Sequence, residues 1–126
     1  MSGIRLKRVY EPPAASDGAR ILVDRLWPRG IAREKAAIDL WLKDIAPSHE
    51  LRRRFHGKPE AWDEFCRAYE AELEAPSAQA AAAKLRELMS RGPVSLLYAA
   101  RDETRNNAVA LKRWLDRGRR GGGTAS

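Results

Sequence analysis

The sequence predicts an α/β fold: a single three-layer domain with about four mostly parallel strands flanked by helices. Ile21-Leu22-Val23 is a continuous apolar run, and residues 94–100 (VSLLYAA) are apolar except for one serine, which is typical of strands buried on both faces. Helices with one apolar face lie between them. The length of 126 residues suits one domain, which we place at residues 1–116. Residues 117–126 are basic and rich in glycine, and we predict a disordered tail there.

Four strands are predicted from short apolar patterns. Residues 4–10 alternate between apolar and charged side chains, and residues 20–27 begin with an apolar run. Residues 38–43 alternate again, although a helical turn that places Leu42 and Ile45 inward is the alternative. Residues 94–100 complete the set. Between the first two strands, Asp17-Gly18 predicts a turn.

The remaining elements are predicted helices. Ser48 is placed to cap a helix over residues 49–57. A longer helix begins near Pro59 and carries an apolar stripe. Ser77 is placed to cap a third helix that runs through Met89. Asp102 or Thr104 is placed to cap the last helix, which runs through about Leu115. The predicted order is therefore β–β–β–α–α–α–β–α. The stripe of the longer helix consists of Trp62, Phe65, Cys66, Tyr69 and Leu73.

Composition excludes several classes of protein. The chain is 44% hydrophobic and 33% charged, as in ordinary soluble globular proteins. One cysteine and two histidines exclude an internal disulfide and leave little for a metal site, so we predict neither a metal nor another cofactor. No apolar run is long enough to span a membrane, and the N-terminus has no apolar signal region, so we expect a cytoplasmic protein.

The net charge of +7 favours anionic partners in general. Three of these charges come from Arg117, Arg119 and Arg120 in the predicted tail, and residues 59–76 are acidic. The ordered part is therefore only mildly basic. It lacks the dense basic stripe expected of a dedicated DNA-binding protein.

The first candidate site follows the second predicted strand. Charged side chains enter at Asp24 and Arg25 just as the apolar run finishes, and Trp27 and Arg29 follow. Parallel sheets bind ligands beyond the carboxyl ends of their strands. Arginine matches carboxylates and phosphates bidentately, and tryptophan stacks on planar groups. A structural ion-pair network is the alternative explanation.

The second candidate site follows the fourth predicted strand, where a strand end and a helix N-terminus attract anions together. Asparagine is a poor helix former, so we expect Asn106 or Asn107 to turn back toward the site. The alternative is that Asp102 only caps the helix and the asparagines lie at the surface. The candidate residues are Tyr98, Arg101, Asp102, Asn106 and Asn107.

These stretches also resemble a known family. Residues 23–30 (VDRLWPRG), 39–43 (DLWLK), 97–102 (LYAARD) and 106–108 (NNA), with the opening block at residues 4–13, resemble the YeaO-like family of bacterial proteins. The resemblance covers about residues 4–116. It implies an α/β fold and draws attention to the same two strand ends, but it implies no reaction.

Two departures from the family pattern limit what the resemblance implies. Many relatives have lysine where this chain has Arg101, which keeps the charge but transfers a proton less easily. A more distant branch places a cysteine and a histidine near the start of the final helix. Residues 101–107 here contain neither, so no thiol nucleophile is carried over.

The preferred hypothesis is a domain or enzyme that binds a small anion carrying a phosphate or a carboxylate. Arg25 and Arg29 would clamp the anion, and Asp24 or Asp102 would orient an arginine or act as a base. An RNA-binding protein is the first alternative, and a structural or interaction module is the second. The sequence does not distinguish an enzyme from a binding protein, and it predicts no oligomeric state. The remaining ligand-binding candidates are Trp27, Tyr98, Arg101, Asn106 and Asn107.

Overall fold

Four parallel strands form one sheet in the order β1-β4-β2-β3. The strands are β1 (Ile4–Arg8), β2 (Ala19–Leu22), β3 (Leu40–Trp41) and β4 (Val94–Tyr98). A computed structural model of the chain describes residues 4–118 in full and the backbone of the last helix as far as residue 125. The predicted α/β class and the parallel pairing are confirmed. The predicted tail lies mostly beyond residue 118, outside the side chains described, and it stays a prediction.

Helices cover the two faces of the sheet unequally. The helices are α1 (Arg33–Ala36), α2 (His49–Phe55), α3 (Trp62–Glu72), α4 (Pro76–Arg91) and α5 (Asn107–Ala125). One face packs Ile21, Leu96 and Tyr98 against core residues of α2 to α5. The other face packs Leu22 and Leu97 against the one-turn helix α1 and a loop that contains Trp27. The third layer is therefore thin.

The predicted strands exist but are shorter than their apolar patterns. β2 ends at Leu22. The N–H of Val23 still donates to the carbonyl of Leu97, and the side chain of Asp24 then accepts the main-chain N–H of Ala99. β3 contains two residues, and a 3-10 turn over residues 43–45 follows it. Leu42 and Ile45 are both buried, which agrees with the alternative prediction of a helical turn at this position. The predicted strands at 20–27 and 38–43 are wrong in length.

Helix boundaries show which capping predictions hold. Ser48 Oγ accepts the N–H of Leu51 at 3.1 Å, so the predicted cap of α2 is confirmed. The predicted cap of α4 by Ser77 is wrong, because that helix already begins at Pro76. Asp102 and Thr104 do not cap α5: the side chain of Asn106 accepts the N–H of Val109 at 2.9 Å. Helix α1 was not predicted, since a single turn carries too short a pattern.

A buried ion cluster fixes the connection from β1 to β2. The carboxylate of Asp17 accepts hydrogen bonds from Lys7 Nζ at 3.0 Å and from Arg20 Nη1 at 2.5 Å. Arg20 also donates to the carbonyl oxygens of Ala36 and Ala37, and Ser95 Oγ donates to the carbonyl of Asp17. The cluster therefore connects three strands with helix α1. It lies apart from both candidate sites.

Candidate functional site

The carboxylate of Asp24 joins β2, β4 and α5 at the carboxyl edge of the sheet. One oxygen accepts the N–H of Ala99 at 2.9 Å, and the other accepts Asn107 Nδ2 at 3.0 Å. Burial raises the pKa of Asp24, and these two hydrogen bonds oppose the rise. Among residues 4–118 no salt bridge includes Asp24. Neutral donors therefore supply the hydrogen bonds of this carboxylate, the charge of Arg52 also lowers its pKa, and Arg25 does not pair with it.

The guanidinium of Arg25 fixes the segment before helix α2. It donates to the carbonyl oxygens of Ala46 at 2.9 Å and Pro47 at 3.2 Å. Next in the chain, the main-chain N–H and the hydroxyl of Ser48 both donate to the carboxylate of Glu72 in α3. Helix α2 is therefore held to the end of β2 on one side and to α3 on the other. This position brings the C-terminal end of α2 close to the start of α5.

The start of α5 is built by side chains that bond to the main chain. Asn106 is buried, and its amide donates to the carbonyl of Asp102 while its oxygen caps the helix. Asn107 donates to the carbonyl of Val23 at 2.9 Å as well as to Asp24. Hydrogen bonds from the main-chain N–H groups of Thr104 and Arg105 lower the pKa of Asp102, which is exposed. Of the two asparagines, Asn107 is the one that turns back to β2.

A pocket of about 540 Å³ opens between these elements. Its volume lies within the range of about 300–1,000 Å³ that is typical of small-molecule sites. Five of the predicted site residues line it: Asp24, Arg25, Asp102, Asn106 and Asn107. Six further lining residues carry aromatic or cationic side chains: Phe55, Trp62, Phe65, Arg52, Lys58 and Arg105.

The other four predicted site residues lie outside this pocket. Trp27 donates from Nε1 to the carbonyl of Ile31 and packs edge-on against Trp41 on the opposite face of the sheet. Tyr98 is buried in the main core. The side chains of Arg29 and Arg101 are exposed, and neither lines the pocket. The expected clamp formed by Arg25 and Arg29 is therefore not assembled there.

The aromatic and cationic lining residues were not recognised from the sequence as site residues. Trp62 and Phe65 belong to the predicted apolar stripe of the longer helix, and Arg52 stands in a run of three arginines, Arg52-Arg53-Arg54. In the structure, Tyr69 and Leu73 of that stripe are fully buried, whereas Trp62 and Phe65 remain partly exposed. The available signal was the concentration of aromatic rings at the first turns of α3, next to the cationic Gly57-Lys58 loop.

The described part of the chain shows neither a metal-binding cluster nor an activated thiol. Within it, no cluster of three or more His, Cys, Asp or Glu side chains is placed to hold a metal ion. Burial raises the pKa of the Cys66 thiol, which is the opposite of what a reactive thiolate needs. Among the described residues, no helix is both long and apolar enough to cross a membrane.

Comparisons with known proteins identify the family. The chain is 46% identical over 112 residues to the uncharacterized protein YeaO of Escherichia coli, which covers 89% of this chain and 96% of that protein. It is 42% identical over 113 residues to the uncharacterized protein Rv3073c of Mycobacterium tuberculosis, covering 90% and 93% respectively. No solved structure matches it. Residues 3–120 match the DUF488-N3i model, described as the inactive DUF488-N3 subclade, and the chain therefore belongs to this family.

Proposed function

We propose that this protein binds a small anion, carrying a phosphate or a carboxylate, in the pocket at the carboxyl ends of β2 and β4. The observation that carries the proposal is the set of cations around the pocket: Arg52, Lys58 and Arg105. No salt bridge within residues 4–118 includes any of the three. All three residues are exposed, so their positive charge is available to a ligand and is screened by salt.

The chemistry of the two lining carboxylates supports binding in preference to catalysis. A general base must reach the proton that it removes. Both oxygens of Asp24 already accept hydrogen bonds from the protein, and Asp102 has a lowered pKa, which makes it a weak base at neutral pH. Residues 101–107 offer no thiol or imidazole, and the matching family is described as inactive. We therefore propose that the protein binds its ligand and does not catalyse a reaction.

The RNA-binding alternative has weaker support. It needs a continuous basic surface with free aromatic faces. On the thin side of the sheet, Arg33 lies 4.8 Å above the Trp27 ring, and Lys43 lies 4.2 Å above the Trp41 ring. The cations therefore already cover these rings. They also belong to a different side of the molecule from Arg52 and Lys58.

A thermal-shift screen at low salt tests the proposal. The compounds are inorganic phosphate, sugar phosphates, nucleotides, simple carboxylates and a short RNA. A compound that binds only the folded state raises the melting temperature as its concentration exceeds its Kd. We expect a small anion to stabilise the wild type and Arg29→Ala, whose side chain lies outside the pocket, but not Arg52→Gln. Stabilisation by RNA alone, or by no compound, would refute the proposal.

A further inference from the structure

The pocket has two chemically different sides. Its apolar side consists of Phe55, Trp62 and Phe65. The rings of Trp62 and Phe65 are stacked with centroids 5.6 Å apart, and Phe55 meets Phe65 edge-on at 5.9 Å. All three residues are only partly buried. They form an ordered aromatic wall. Arg54 lies 5.0 Å from the centroid of the Phe55 ring and Arg113 lies 5.9 Å from that of Trp62, so each cation approaches one face of its ring and the remaining exposed surface lines the pocket.

The polar side holds more positive than negative charge. Its cations are Arg25, Arg52, Lys58 and Arg105, against the carboxylates of Asp24 and Asp102. Asp24 is engaged by Ala99 and Asn107, while one oxygen of Asp102 accepts three hydrogen bonds from its own loop. Within the described residues, neither carboxylate forms a salt bridge with a lining cation. The lining residues therefore carry an excess of positive charge, most of it on exposed side chains.

From this division we infer the class of ligand, an inference that rests on the proposed anion-binding function: the ligand is an aromatic anion, with a planar ring joined to a phosphate or carboxylate. The ring packs against Trp62 and Phe65, where ring pairs gain stabilisation beyond simple burial. The anionic group faces Arg52, Lys58 and Arg105. An isolated phosphate ion uses only the cationic side and leaves most of the 540 Å³ to water.

Matched probes separate this inference from the broader proposal. Each pair shares one anionic group and differs in the ring: methyl phosphate with phenyl phosphate, and acetate with benzoate. Affinity is measured by titration with amide NMR detection, which also locates the site. We expect the aromatic member of at least one pair to bind about tenfold more tightly, with shifts at residues 52–65 and 99–108. The pair that binds also shows which anionic group the site takes.

Three results are distinguishable. Equal affinity within each pair overturns the inference and leaves anion binding intact. Binding of none of the four probes, together with no shift for any anion in the thermal screen, overturns both. Tighter binding of the aromatic probes, with shifts confined to the Trp27 and Trp41 side, places the ring site elsewhere and also overturns the inference.

Two variants test which side of the pocket binds the ring and which binds the anionic group. Trp62→Leu is expected to abolish the preference for phenyl phosphate over methyl phosphate. Arg52→Gln is expected to weaken both probes by a similar factor, and Arg53→Gln, on the same helix but outside the pocket, to change neither. Should Trp62→Leu fail to fold, Phe55→Leu makes the same test. A preference for the ring that survives in a folded variant of the wall refutes the inference.

Discussion

The side-chain amide of Asn107 lies 3.0 Å from the carboxylate of Asp24, and through this hydrogen bond the first turn of α5 is attached to the end of β2. The same nitrogen donates to the carbonyl of Val23. The residues are 83 positions apart in the chain, so the contact fixes the relative position of two distant elements. The floor of the pocket depends on this attachment.

Replacing Asn107 by alanine is expected to destabilise the fold by about 1–3 kcal/mol, because two partly buried acceptors, the Val23 carbonyl and the Asp24 carboxylate, lose a donor. Urea unfolding of the wild type and the variant measures this difference. Arg101→Ala is the control: its side chain is exposed, and the expected change is within about 0.5 kcal/mol. Equal stability of Asn107→Ala and wild type would contradict the structural role of this amide.

Asp24 is expected to titrate above its usual pKa of 3.8, because burial disfavours the charged carboxylate. Between 3.8 and the raised value, the folded chain holds a proton that the unfolded chain has released. The contribution of Asp24 to stability is therefore full below 3.8 and is lost as the pH rises through the folded pKa. Carboxyl NMR titration measures that pKa. Urea unfolding of wild type against Asp24→Asn should show the difference in stability falling across the same pH window, and a pKa at or below 3.8 would contradict the prediction.

Asp17 is expected to show the opposite pH dependence. Burial raises its pKa, but hydrogen bonds from the main chain of Ala14 and from Lys7 and Arg20 outweigh it and lower the pKa to about 2. Its contribution to stability is therefore present above 3.8 and is lost as the pH falls toward 2. At neutral pH, Asp17→Asn should cost about 3 kcal/mol, since it leaves the buried Arg20 without its carboxylate. Urea unfolding at neutral pH and near pH 2.5 should show this cost shrinking in acid.

Two glycines with similar backbone angles are expected to respond differently to alanine. Gly18 and Gly30 have φ angles of 65° and 75°, a region that glycine enters most easily. A Cβ at Gly30 has no neighbour within 4 Å, whereas one at Gly18 overlaps the carbonyl oxygen of Pro93. Gly30→Ala should therefore cost about 1 kcal/mol for the backbone angle alone. Gly18→Ala should cost about 3 kcal/mol or more, because the β4 entry must shift. Thermal unfolding of the two variants compares them, and equal melting temperatures would refute the difference.

The class of fold was predictable because short apolar runs bounded by turn residues, alternating with amphipathic helices, are typical of buried parallel strands. The run at Ile21-Leu22-Val23 and the one at residues 94–100 both became strands near the middle of the sheet. Strand ends were not predictable, because they depend on tertiary contacts. β2 stops where Asp24 bonds to Ala99, a residue 75 positions away, and no local pattern encodes that contact.

The candidate site was predictable at the ends of β2 and β4 and the start of α5, but its aromatic wall and the cations Arg52, Lys58 and Arg105 were not. Strand ends and a helix start are local features, so Asp24, Arg25, Asp102 and both asparagines were identified from the residues that surround them. The aromatic wall arises where α2 and α3 meet, and the sequence pattern there is the same for a closed core and for an open pocket. Arg29 was selected for its position near Arg25 in the chain. In the structure the side chain of Arg29 is exposed and does not line the pocket. The hydroxyl of Tyr10 donates a hydrogen bond to the main-chain carbonyl of Arg29.

The strand order has a consequence for how the molecule is made. β4 is the last strand to be synthesised, yet it lies between β1 and β2, and Ile4 pairs with Val94, 90 residues later. Until β4 leaves the ribosome, β1 has no strand to pair with, and β2 lacks its partner on the β4 side. Such long-range closure slows folding and leaves apolar strand edges open to aggregation in the meantime. The four-stranded sheet can therefore close only after residues 94–98 have emerged from the ribosome.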